Sequence, residues 1–231
     1  MLVSDSGGTS FEQPPTGTHS ARCISIIDIG TQRSTYEGEV QIKHQFIVRW
    51  ELSNELMTSG ESAGKPFTVS KFYTASLHEK AALRKDLSAW RGRDFTAEEL
   101  KGFDLQTILG KPCMLAVGLS EKGKAKVTSV MGLPKGMQVP AQVNPNFHFS
   151  LDRGQFKAAD FEALSKGFKE MVMASPEYQQ LIKPVPQQKQ AQDNGIHDEI
   201  QFDDEEIPFA TSSMFYDMTT SKQRKMKRYY Y

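Results

Sequence analysis

Hydrophobic and polar positions alternate with a period of two through the first third of the chain. ARCISIIDIG (21–30) is rich in β-branched residues and ends at Gly30, which predicts a strand closed by a bend or bulge. VQIKHQFIVRWEL (40–52) alternates cleanly, with Ile42, His44, Phe46, Val48, Trp50 and Leu52 on one face. Gln41, Lys43, Gln45, Ile47, Arg49 and Glu51 lie on the other. The first face is apolar enough to be a core, and the second reads as outward. After a Gly/Ser loop (53–65), PFTVSKFYTASL (66–77) is the third predicted strand. Phe67, Val69, Lys71 and Tyr73 there oppose Thr68, Ser70, Phe72 and Thr74.

The period then changes to 3.6. Ser76 with Glu79 reads as a capping box, followed by Leu83, Leu87 and Trp90 at helical spacing. Arg91-Gly92-Arg93 ends that helix. Thr96 with Glu99 is a second capping box and opens a short helix through Leu100 and Phe103. Leu105, Ile108 and Leu109 complete the helical insert at Gly110. KPCMLAVGL (111–119) and KAKVTSVMGL (124–133) predict two strands joined by the turn Ser120–Gly123.

The order is thus three strands, a helical insert and two strands. This predicts a mainly β protein: a five-stranded OB-fold barrel, partly open, with its helix between strands 3 and 4. Residues 18–133 are its expected extent, preceded by a disordered segment (1–17) rich in Gly, Ser, Thr and Pro. Residues 134–183 read as a Pro-rich crossing and a C-terminal helix. KAADFEALSKGFKEMVM (157–173) puts Phe161, Leu164, Phe168 and Met171 on one stripe, and Ser175-Pro176-Glu177 restarts a short helix. That piece is expected to dock on the barrel or on a neighbouring subunit. Residues 184–231 are expected to be a disordered linker and tail.

The chain has 231 residues, 38% hydrophobic and 24% charged, and a formal net charge of zero. The zero conceals a separation of charge. Residues 193–209 hold seven acids and no Lys or Arg, whereas 210–231 hold five basic residues and one acid. No apolar run approaches the ~18 residues of a membrane span, and the first residues lack a secretory pattern. A cytoplasmic protein with no membrane partner is expected. Its two cysteines, Cys23 and Cys113, are expected to be reduced and buried.

Enzyme-like strings fail on their chemistry. Gly118–Ala125 nearly spells a phosphate loop, but Ala125 brings no hydroxyl for magnesium and strand patterns flank it. His78-Glu79 lacks the second histidine of a zinc protease helix. Neither a metal site nor a cofactor is expected, and the chain reads as non-enzymatic.

Sequence-tolerant binding of single-stranded nucleic acid needs cations along a backbone path and rings on which bases stack. The strands offer Arg22, Lys43, Arg49, Lys71, Tyr73, Lys124 and Lys126, and the end of the insert offers Arg91 and Arg93. Phe46, Trp50 and Trp90 fall on apolar faces and read as core. The run Asp203-Asp204-Glu205-Glu206-Ile207-Pro208-Phe209 joins four acids to an apolar end. It suits a peptide entering a basic-rimmed apolar pocket on a partner, and equally an acidic solvated segment.

Asp203–Phe209 resembles the acidic tip of bacterial and phage single-stranded DNA-binding proteins. FYTASLHEKAALRKDLSAWRGRDFTAEEL (72–100), GFDLQTILGKPCML (102–115) and LPKGMQ (133–138) resemble a family of phage-encoded OB-fold single-strand binders. The resemblance implies coating of transient single strands during phage DNA replication and recombination. It also implies recruitment of replication and recombination proteins through the tip. In that family Ile-Pro-Phe carries the terminal carboxylate; here residues 210–231 follow Phe209. A protein-binding adaptor without intrinsic DNA binding is the alternative, and monomer and homo-oligomer both stay open.

Overall fold

The computed structural model describes residues 12–36 and 38–183. The expected linker, acidic tip and basic extension lie outside them, as do residues 1–11 of the N-terminal segment. Six strands form one sheet: β1 (Gly17–Tyr36), β2 (Glu39–Leu56), β3 (Pro66–Thr74), β4 (Pro112–Leu119), β5 (Ala125–Met131) and β6 (Phe147–Phe149). The order is β3-β2-β1-β4-β5, all antiparallel, with β6 beside β1 in parallel.

The expected order of strands and helical insert is present, and where a partly open barrel is expected the strands form an open sheet. β5 packs near β3, yet among the described residues no hydrogen-bonded ladder joins them. Helix α1 (Ala82–Arg91) packs against both strands instead.

β1 and β2 extend well beyond their predicted ends, and their middle stretches are buried on both faces. On β1 the side that each residue takes is set locally. Register shifts between Cys23 and Ser25 and between Asp28 and Gly30 change which parity faces which side. Ala21, Cys23 and Ile26 therefore share one core with Phe46, Val48, Trp50, Leu52, Leu115 and Val130. Ile27 and Ile29 share another with Ile47, Phe149, Phe161, Leu164 and Val172. Of the face of strand 2 predicted as core, Phe46, Val48, Trp50 and Leu52 are buried, but Ile42 and His44, near the β1–β2 turn, are exposed. Its other face was expected to point outward, but Ile47 and Glu51 there are wholly buried.

The helical insert closes the first core. Leu83 and Leu87 point inward, Trp90 Nε1 donates to the Pro112 carbonyl at 2.8 Å, and Gly92 ends α1 in the left-handed region. The predicted box at Ser76 and Glu79 does not form: α1 begins after Ala81, with no side-chain cap. The second box is present, with Thr96 and Glu99 opening α2 (Ala97–Lys101). Cys23 and Cys113 are buried and free, and burial pushes the Cys23 thiol up to about 12.

Residues 147–181 cover the second core. The predicted amphipathic run 157–173 is broken into α3 (Ala158–Glu162) and α4 (Lys166–Met173), and α5 (Pro176–Leu181) follows. β6 was not foreseen, because three residues carry too short a period to read. The Pro-rich crossing is tied down by Glu51. Its carboxylate accepts from the Val143 N–H at 3.0 Å, the Asn144 N–H at 2.9 Å and Asn144 Nδ2 at 2.8 Å. Those three donors give the buried Glu51 its partners.

Candidate nucleic-acid interface

The nine predicted contact residues do not form one track. Arg22 is half-buried and spent on structure: Nη1 donates to the Gly110 carbonyl at 2.8 Å and Nη2 to that of Pro140 at 3.2 Å. Lys43 is exposed towards the β1–β2 turn, where Nζ donates to Gln41 Oε1 at 2.6 Å. Lys124 and Lys126 are exposed at the β4–β5 turn.

Lys71 and Tyr73 face the opposite way from the reading above. They share the parity of Phe67 and Val69, which is the core side of β3. Lys71 Nζ lies 2.6 Å from Asp86 Oδ2 on α1, and the Tyr73 hydroxyl donates to the same oxygen at 2.6 Å. The Tyr73 ring is 3% exposed and stacks on Phe46 with centroids 5.8 Å apart. Burial, with Asp86 beside it, pushes the phenol far above its ordinary range. Tyr73 is a core residue and offers no platform for a base.

Arg91 and Arg93 converge on Glu99, not on an open surface. Arg91 pairs with Glu99 and lies over the rings of Phe95 and Phe103 at 4.5 and 5.1 Å. Arg93 Nη2 and Nη1 reach the two oxygens of the same carboxylate at 2.7 and 2.9 Å. The Arg93 hydrogen bond leads the causes that pull Glu99 down to about 2. This network holds the α1–α2 corner together.

Arg49 is different. Its Cα pairs with Ser70 on β3 and Ser25 on β1, on the sheet face away from the first core. Nη2 donates to Thr68 Oγ1 at 3.2 Å, and the guanidinium lies 5.9 Å from the centre of the Phe168 ring on α4. Among the described residues no carboxylate pairs with it. Burial alone pulls its pKa below the ordinary value. The same face of β3 presents Thr68, Ser70 and Phe72, all exposed. Phe72, paired across the ladder with Ile47, is 46% exposed.

Phe72, and not Tyr73, is the exposed ring of β3. The signal was there: Phe67 and Val69 are better core residues than Thr68 and Ser70, which puts odd positions inward and Phe72 outward. Phe168 had no comparable signal, because its place against Arg49 depends on how α4 docks. Asp203–Phe209, the predicted partner-binding segment, lies outside the described residues.

Among the described residues no group of three or more His, Cys, Asp or Glu side chains could hold a metal ion. No helix there is long and apolar enough to cross a membrane. No family model, curated protein or solved structure matches the chain.

Proposed function

We propose that this protein binds single-stranded DNA through the outer face of β2 and β3 and coats transient single strands during phage DNA replication and recombination. It does so without catalysis, and recruits partner enzymes through Asp203–Phe209. The observation that carries the reading is the Arg49–Phe72 face. A cation free of any described carboxylate partner stands two positions along the ladder from an exposed ring, between small hydroxyl residues. That pairs a phosphate contact with a stacking surface, which suits sequence-tolerant binding.

The strand order supports an OB-fold plan. Its ladders run β3-β2-β1-β4-β5 with a helix between β3 and β4, and the β3–β5 seam is open. The acidic segment supports recruitment, since four acids before Ile-Pro-Phe combine steering charge with an apolar anchor.

The test is fluorescence anisotropy of labelled thymine oligonucleotides and of duplex across a salt series. Tight single-strand binding that weakens with salt and far exceeds duplex binding is expected. Equal affinity for both forms overturns the reading. The adaptor reading is favoured by the diversion of Lys71, Arg91 and Arg93 into internal ion pairs. It predicts no oligonucleotide binding, together with capture of a replication or recombination enzyme that depends on Asp203–Phe209.

A further inference from the structure

A cavity of about 200 Å³ opens between the outer face of the sheet and the segment that carries β6, α3 and α4. Arg49, Thr68, Ser25 and Ser165 are the charged and hydroxyl-bearing residues of its lining, beside Asn144, and Phe147 and Phe168 are its aromatic ones. Its lining contains a guanidinium and no carboxylate.

Two further features point the same way. Ser25 lies directly across the β1–β2 ladder from Arg49 and is 3% exposed. Among the described residues its Oγ has no hydrogen-bond partner, an unusual state for a buried hydroxyl. Ser165 is the N-cap of α4, an eight-residue helix, and its side chain makes no capping bond. The first N–H groups of that helix therefore lack a side-chain acceptor, and its dipole favours an anion at this end.

We propose that the cavity holds a phosphate group, clamped by the Arg49 guanidinium and supported by the Ser25 hydroxyl and the amino end of α4. The volume is below the roughly 300 Å³ at which pockets for drug-sized ligands begin, so it takes a single phosphate group and not a whole nucleotide. Phe168 under Arg49 keeps the guanidinium oriented before the anion arrives. The C-terminal lobe is then part of the site and not only a cover for the second core. The phosphate chemistry stands on the cavity itself; assigning it to a strand backbone rests on the single-strand reading. Free phosphate is the other source.

The experiment uses the full chain, Arg49→Ala and Ser165→Asp. The second variant keeps a good N-cap residue, so α4 is retained, while placing a carboxylate where the anion would sit. Circular dichroism checks that both fold. In one arm, thymine oligonucleotide affinity is measured against salt. Loss of one phosphate contact lowers the slope of log K against log salt by about 0.7 and weakens all single strands alike. In the other arm, inorganic phosphate is titrated and its ³¹P line width followed. Broadening with the parent chain that both variants abolish is expected.

A reduced slope in both variants supports a backbone phosphate. Variant-sensitive broadening with an unchanged slope, or with no oligonucleotide binding by the parent chain, supports free phosphate. The last case also removes the single-strand reading while keeping the site. Unchanged slopes with no variant-sensitive broadening overturn the proposal, as does loss of both signals in Arg49→Ala with Ser165→Asp folded and unaffected.

Discussion

Gly30 stands against Ser175 so closely that a Cβ added to the glycine would lie 2.6 Å from the Ser175 Cβ. The glycine has φ +70°, at a register shift in β1, and Ser175 is the wholly buried N-cap of α5. The contact joins the sheet to the C-terminal lobe. Alanine at position 30 meets both a left-handed backbone penalty and a collision with buried atoms. Gly30→Ala is expected to lose about 2–4 kcal/mol of folding free energy, read as a lower midpoint in urea. An unchanged midpoint would show that α5 does not dock here.

Phe72 and Tyr73 are neighbours with opposite expectations. Phe72→Ala should weaken single-strand binding by about 1–3 kcal/mol, the worth of a stacked base, with little change in stability. Tyr73→Phe removes one hydrogen bond to Asp86 and should cost about 1–3 kcal/mol of stability while leaving the affinity of the folded protein alone. Anisotropy and urea titration on both variants separate the two roles. Reversed results would mean the strand binds from the other side.

His44 bridges two carboxylates. Nε2 lies 2.8 Å from Asp28 Oδ1 and Nδ1 lies 3.5 Å from Glu177 Oε1 on α5. The Asp28 hydrogen bond leads the causes that raise His44 above its ordinary 6.5. Burial works to raise Asp28 and Glu177, but hydrogen bonds from His44 and Gly30 to the first, and from Thr31 to the second, outweigh it and lower both. The imidazolium contribution is complete below pH 6.5 and is lost as pH rises through the higher folded value. The carboxylate contributions are complete above 3.8 and 4.5, and are lost as pH falls through the lower folded values. This contact is therefore strongest between about pH 4.5 and 6.5. Thermal melts should show His44→Gln losing most stability in that window and little well above it; a pH-independent loss would contradict the pairing.

Glu51 holds three donors of the Pro-rich crossing with two oxygens. Glu51→Gln keeps the shape but turns one acceptor towards Val143 or Asn144 into a donor. A loss of about 1–3 kcal/mol is expected. Hydrogen exchange at the Val143 and Asn144 amides should quicken more than exchange in β4, and uniform quickening would argue against a local anchor.

The acids of residues 193–209 are opposite in sign to the cation of the proposed single-strand surface. Deleting that segment should raise apparent oligonucleotide affinity at low salt and have little effect at high salt, where screening has already removed the competition. Equal affinity at low salt would separate the acidic segment from the binding face.

The local periods in the sequence were enough to reveal β1 to β5, α1, α2 and the turn at Ser120–Gly123, though not the ends of β1 and β2 or the start of α1, because a period depends on near neighbours along the chain. Alternation also gave the core side of β2 from Phe46 to Leu52, and Gly30 marked the bulge, though β1 continues past it. Tertiary structure decided what lies against those faces. Ile47 and Glu51 look outward on a strand considered alone, but Phe161, Leu164 and the crossing at Val143–Asn144 bury them. Lys71, Arg91 and Arg93 look available to phosphate until Asp86 and Glu99 are brought beside them by helix docking. Arg49 meets Ser25 and Phe168 only because a bulged strand and α4 converge over one patch of sheet. A period reports which side of an element a residue takes; the partner on that side is fixed by packing between segments far apart in the chain.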